Sequence, residues 1–113
     1  MNTTRFAQAP AYFPANHEGM HCLRLQGQEA GPSDVLWLGL SHLLPGGGTT
    51  LDGSGVEKFY VVLEGEVTII TEEGEHSLRK FDSARLAPNE KRALKNKTNA
   101  PASILLAMPY AAK

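Results

Sequence analysis

Residues 45–67 read PGGGTTLDGSGVEKFYVVLEGEV. The proline and three glycines at the start punctuate any regular element, because proline lacks an amide donor and glycine opens backbone conformations closed to other residues. A small polar cluster follows, and residues 57–63 then read as a strand that stops at a Glu64-Gly65 turn. Side chains alternate along a strand. Lys58, Tyr60 and Val62 therefore share one face, while Phe59, Val61 and Leu63 share the other.

The same punctuation recurs in both directions. Upstream, residues 35–44 are almost wholly apolar, which suits a strand covered on both faces and broken sharply at Pro45. Residues 20–26 oppose Leu23 and Leu25 to Arg24 and Gln26, a second strand, with a loop at Gly31-Pro32-Ser33. Downstream, residues 66–71 and 75–79 flank Glu72-Glu73-Gly74 as a hairpin. Residues 83–87, 91–97 and 102–108 follow as short strands between turns at Pro88-Asn89 and Asn99-Ala100-Pro101. Many short strands with no helical period predict an all-β chain, an antiparallel barrel or sandwich. Residues 1–19 are different. Pro10 and Pro14 oppose a long helix, and Phe6, Tyr12 and Phe13 predict an extended arm laid over the barrel or over a partner subunit. His17 lies in this arm and reads as a surface or capping residue.

At 113 residues the chain has room for one domain, residues 1–113, with a real core. Eleven Lys and Arg against twelve Asp and Glu leave a formal charge of −1, so no overall field favours nucleic acid or membrane. No apolar run approaches the ~20 residues of a membrane helix. The first residues lack the basic-then-apolar layout of a signal peptide, which predicts a cytoplasmic protein. Cys22 is the single cysteine, so no internal disulfide forms.

Two segments together resemble the paired motifs of the cupins, small β-barrel proteins that often hold a metal inside the barrel. The first cupin motif has a Pro-Gly turn, two histidines one residue apart, a glutamate, and a strand end like YVLEG. Here the strand end is Tyr60-Val61-Val62-Leu63-Glu64-Gly65, Asp52 and Ser54 occupy the histidine places, and Lys58 occupies the glutamate place. The second motif is similar from Gly74 onward. Phe81-Asp82 stands for a Gly-Asp pair and Pro88-Asn89 for a Pro-x-Gly turn; Arg92 falls on the histidine place and Asn96 on the asparagine place. Asparagine at 89 can take the left-handed conformation that glycine usually supplies. The resemblance implies a cupin-like jelly-roll barrel with the Lys58 face inside. It leaves Phe59, Val61 and Leu63 outside, in need of cover from a second subunit or from the N-terminal arm, and a homodimer is expected.

The substitutions at the ligand places bear on chemistry. Asp52, Ser54, Lys58 and Arg92 offer one good ligand and two cations, so a metal in the usual place is not expected and no cofactor is assigned. A metal-dependent alternative would need atypical ligands such as His21 or His42, although the four histidines show no ligand spacing. Ser41 and His42 lie on opposite faces of one strand, and the sequence leaves open which faces inward. An internal Lys58 loses solvation, which lowers its pKa unless an anion is near. It can form an ion pair with Asp52, or act as an electrostatic anchor or general base with Asp52 as its partner. Arg92, Leu94 and Asn96 share the inward face of their strand, opposite Lys91, Lys95 and Lys97. A buried arginine there requires Asp52 or a ligand anion. Tyr60, Asn96 and Ser54 complete the candidate substrate-binding set, with a satisfied internal network as the other reading of Tyr60 and Asn96. Two functional classes remain open. One is a metal-independent isomerase, epimerase or lyase acting on a small anionic metabolite; the other is a non-catalytic module that binds or senses such an anion.

Overall fold

The computed structural model describes residues 1–110. Among them nine strands follow in order: β1 Ala11–Tyr12, β2 His17–Gln26, β3 Leu36–Thr49, β4 Lys58–Glu64, β5 Glu66–Thr71, β6 Gly74–Arg79, β7 Ser83–Leu86, β8 Ala93–Lys95 and β9 Ala102–Pro109. Helical structure among these residues is limited to 3-10 turns at Phe6–Gln8 and Gln28–Ala30. No helix among them is long and apolar enough to cross a membrane. Every strand pairing is antiparallel, and the order β6-β5-β8-β3-β9-β4-β7 wraps into a nearly closed barrel, with β2 and β1 added along β3.

β3 is the strand that turns the corner of the barrel. Its first half, Leu36 to Leu43, pairs with β9, and its end at Gly48 pairs with Lys95 of β8. The proline-glycine run lies between these halves, so it bends the strand and does not break it as the sequence suggested. Leu44 to Gly47 form a wide bulge opposite the single residue Gly19, since Leu43 faces Met20 and Gly48 faces Glu18. A Cβ on Gly47 would lie 2.3 Å from the Gly19 carbonyl oxygen, and one on Gly48 would lie 2.0 Å from that of Leu94. Only glycine permits these approaches.

The faces of β4 follow the period of two. Lys58, Tyr60 and Val62 are buried, whereas Phe59 is 46 % exposed on the outside. Val62 and Tyr60 join Leu43, Val67, Ile69, Leu86, Leu94, Ala102 and Ile104 in one core. Each fully buried side chain of that size contributes about 1.5–3 kcal/mol over exposure. β3 resolves the Ser41–His42 alternative. Ser41 is buried beside Cys22, with its hydroxyl donating to the Cys22 sulfur over 3.4 Å, while His42 is half-buried and packs against Phe6.

The N-terminal arm lies against the barrel, and part of it is strand. Ala11 and Tyr12 pair with Leu23 and Cys22, and residues 17–19 already belong to β2. The strand expected over residues 91–97 is confined to Ala93–Lys95, preceded by a single bridge between Arg92 and Asp52. Asn89 takes φ +69°, the left-handed turn conformation expected of it, and Phe81 takes the same φ.

Candidate functional site

A cavity of about 360 Å³ opens at the end of the barrel where β1, β2, β3, β4 and β9 converge. Tyr12, Trp37, Leu106 and Met108 form its apolar wall, Phe13 and Pro14 border it from the N-terminal segment, and His17, Arg24, Lys58 and Arg92 are its polar groups. Among the described residues no aspartate or glutamate lines it.

Arg92 is only 8 % exposed. Its Nε donates to the Tyr60 hydroxyl at 2.9 Å, and a terminal nitrogen donates to the Thr49 hydroxyl at 3.3 Å. Thr49 is itself fixed, since its hydroxyl donates to the Thr50 carbonyl and accepts from the Leu94 amide. Burial pushes the Tyr60 phenol up in pKa, against the pull of Arg92, so it remains a neutral hydroxyl. The guanidinium is therefore held by two neutral oxygens, and its charge has no carboxylate partner among the described residues.

Lys58 is 4 % exposed, and among the described residues its ammonium makes no ion pair. Burial, reinforced by Arg92 and opposed by Asp52, brings its pKa down from 10.5 to about 8. At pH 7 it is still mostly charged, and so the cavity contains two uncompensated cations. Arg24 differs. It ion-pairs with Glu29 at 3.3 Å and lies over the Tyr12 ring at 3.5 Å and the Trp37 ring at 4.5 Å. Tyr12 meets Trp37 edge to face at 5.9 Å. Desolvation raises the Tyr12 hydroxyl to about 12.

His17 enters the cavity from the start of β2, and is half-buried there rather than at the surface. Its Nδ1 lies 2.7 Å from the Ala15 carbonyl oxygen. A carbonyl can only accept, so Nδ1 carries hydrogen and the lone pair of the neutral ring sits on Nε2. Burial lowers the His17 pKa, the bond to Ala15 opposes that shift, and Arg92 and Lys58 add to it.

Of the six sequence-derived site residues, Lys58 and Arg92 line the cavity, Tyr60 is buried behind Arg92 without lining it, and three stand elsewhere. Asp52 joins Arg92 through main-chain hydrogen bonds of 3.0 and 2.9 Å, while its exposed carboxylate accepts from the Gly53 amide. It neither pairs with Lys58 nor lines the cavity. The Ser54 hydroxyl donates to the Val56 carbonyl. Asn96 is 0 % exposed and holds a turn, donating to the carbonyls of Leu43 and Ala100 and accepting from the amide and hydroxyl of Thr98. Its side chain is fully engaged away from the cavity.

The side chains at the cupin ligand places do not suit a divalent transition metal. Two are cations, one hydroxyl already donates to a carbonyl, and the lone carboxylate points to solvent. Among the described residues no three His, Cys, Asp or Glu side chains cluster closely enough to hold a metal ion. His21 and His42 stack at 6.4 Å on adjacent strands, and His42 Nδ1 bonds the Ser103 hydroxyl at 2.8 Å.

Comparison with known proteins agrees with this architecture. The sequence pattern of the family described as a cupin domain matches residues 39–108. A β-D-galactosidase of Mycobacterium tuberculosis is 37 % identical over 110 residues, covering 97 % of this chain and 95 % of that protein. Among solved structures, the polyketide cyclase RemF of Streptomyces resistomycificus superposes with a TM-score of 0.85 at 15 % identity, over 96 % of this chain and 79 % of that one. A cupin-superfamily sugar phosphate isomerase of Silicibacter pomeroyi gives a TM-score of 0.81 at 24 % identity, over 95 % and 74 %. At such identities these two structures speak for the fold alone.

Proposed function

Since this chain belongs to the cupin family, the mouth of its barrel is where a ligand is to be sought, and we propose that it binds a small, sugar-derived organic anion without a metal. One observation carries the reading. Lys58 and Arg92 face a single cavity that no carboxylate lines, and neither has an ion-pair partner among the described residues. Burying that charge is unfavourable, and a bound carboxylate or phosphate relieves it through charge-assisted hydrogen bonds. The Tyr12–Trp37 pair offers the apolar surface on which the body of such a ligand rests. The cavity volume of about 360 Å³ suits a molecule of monosaccharide size. The chemistry these groups support is proton transfer, as in an isomerase, epimerase or lyase, and pure binding is the non-catalytic form of the same reading.

A melting screen tests it. Galacturonate or glucose 6-phosphate at ~100 times its dissociation constant adds about 2.7 kcal/mol to unfolding stability. At roughly 4 °C per kcal/mol that is a rise of ~10 °C. Neutral galactose gives much less. Arg92→Ala and Lys58→Met keep the fold and lose the response to anions. Equal responses to galactose and galacturonate, or variants that respond like wild type, would remove the anion site.

A second reading comes from the M. tuberculosis relative, whose name implies β-galactoside hydrolysis. Most glycosidases use two carboxylates flanking the scissile bond, and among the described residues none lines this cavity. Turnover of a nitrophenyl β-galactoside that disappears in Trp37→Ala, without stabilisation by anions, would favour this reading over the first.

A further inference from the structure

We propose that His17 is the proton acceptor of this cavity, with its Nε2 removing a proton from a carbon next to the carbonyl of the anion that Lys58 and Arg92 hold. The inference rests on the anion-binding reading and adds a reaction class and a base to it. Three features of the geometry carry it. The Ala15 carbonyl, 2.7 Å from Nδ1, fixes the ring orientation and leaves the basic lone pair on Nε2. Nε2 has no hydrogen-bond partner among the described residues, although the ring lines the cavity. The same cavity holds Lys58 on β4 and Arg92 before β8, two cations suited to an oxyanion formed in the reaction.

The step balances without a co-reactant. The carbon–hydrogen bond breaks, the proton passes to Nε2, and His17 becomes an imidazolium. The electron pair left behind forms the enolate double bond, and the carbonyl oxygen takes up the negative charge beside Lys58 and Arg92. Return of the proton to the same face of that carbon gives exchange and return to the opposite face gives epimerisation; return to the neighbouring carbon, with the hydroxyl proton passing to the former carbonyl oxygen, gives an aldose–ketose isomerisation. The ligand class is thus an α-hydroxy aldehyde or ketone that also bears a carboxylate or phosphate.

Protonation states agree with this assignment. The charged and titratable groups that face His17 across the cavity are Lys58, Arg92, Arg24 on its own strand and Tyr12 on β1. Burial, Arg92 and Lys58 lower the His17 pKa, so the ring is neutral and basic at pH 7, while Lys58, at about 8, remains mostly an acid. The rate therefore rises with pH through a value below 6.5 and falls again near pH 8.

The test uses the full chain. Nitrogen NMR of His17 should show a protonated Nδ1 and a bare Nε2 at pH 7; the opposite tautomer overturns the proposal before any ligand is added. Galacturonate, glucose 6-phosphate and fructose 6-phosphate are then incubated with the protein in D2O, and deuterium is followed at the carbon next to the carbonyl. Wild type should exchange at least one of the three. His17→Asn keeps a donor for the Ala15 carbonyl but has no group in place of Nε2. It should slow exchange at least 100-fold while the anion-induced melting shift stays, as expected for loss of a general base. Binding of these anions without exchange, or exchange that His17→Asn leaves unchanged, overturns the base and leaves the anion pocket standing. Absence of binding by all three overturns the pocket itself.

Discussion

Replacing Lys58 by methionine should stabilise the protein at neutral pH, and the size of the effect should shrink as the pH rises. The Lys58 pKa falls from 10.5 in the unfolded chain to about 8 in the folded one, because burial and Arg92 disfavour the ammonium more than Asp52 supports it. The folded state therefore binds its proton less tightly than the unfolded state. Unfolded chains hold more protons between about pH 8 and 10.5, so wild-type stability rises with pH across that window. Below it the full penalty is present: two and a half pKa units correspond to about 3 kcal/mol. The penalty is about 2 kcal/mol at pH 9 and about 1 kcal/mol at pH 10. Methionine has a similar length, fits an apolar environment and carries no charge, so Lys58→Met removes the penalty. Urea unfolding of both proteins at half-unit steps from pH 6.5 to 10 reads the difference directly. The variant should be the more stable by about 3 kcal/mol at pH 7, converging on wild type toward pH 10. A variant less stable than wild type at pH 7, or a difference that does not change with pH, would refute the reasoning. The first result would mean that Lys58 has a stabilising partner in solution.

Two further outcomes are expected. Phe81 is 72 % exposed and holds φ +69°, where a side chain costs about 1–2 kcal/mol and glycine nothing; allowing for the greater freedom of unfolded glycine, Phe81→Gly should gain ~0.5–1 kcal/mol in urea unfolding. A loss would show that the Phe81 ring packs usefully, against Lys80 for instance, whose ammonium is 5.2 Å away. On the outer sheet face Phe59, Val61 and Leu63 lie beside Leu105 and Ala107 of β9, an apolar surface whose burial a homodimer would achieve. Light scattering should give twice the chain mass for wild type and the single mass for Val61→Glu, and a monomeric wild type would end that expectation.

Where strands are regular, the sequence was sufficient. Side-chain alternation put Lys58, Tyr60 and Val62 on one face and the cupin resemblance put that face inside, while alternation set Arg92 opposite the lysines of its segment; all four are buried. Asn89 could be read as left-handed because its turn is local. Errors arose where distant chain segments decide the outcome. Gly47 and Gly48 continue β3 because Gly19 and Leu94 press against them, and nothing near residue 47 in the sequence reveals those neighbours. Asp52 reads as a partner for two internal cations, yet its main chain bridges Arg92 and so turns its carboxylate toward solvent. His17 was missed for a related reason. The bulge opposite Gly19 interrupts the pairing of β2, so strand parity cannot be counted back from Leu23 to residue 17.

These errors have a common geometric origin that bears on how the cavity acquires its chemistry. The pattern shared with the cupin family covers residues 39–108. Lys58 and Arg92, the two cavity cations without an ion-pair partner among the described residues, fall within it. Tyr12, Phe13, Pro14, His17, Arg24 and Trp37 all precede it, and they supply the aromatic wall, the stacked arginine and the neutral imidazole. The matched region thus supplies the two cations, and residues 12–37 before it supply the aromatic wall, the stacked arginine and the imidazole. Ligand preference should then follow residues 12–37 more closely than the matched region. On the anion-binding reading, a change at Lys58 or Arg92 should alter whether an anion is held, a change at Trp37 which anion is held, and a change at His17 what happens to it.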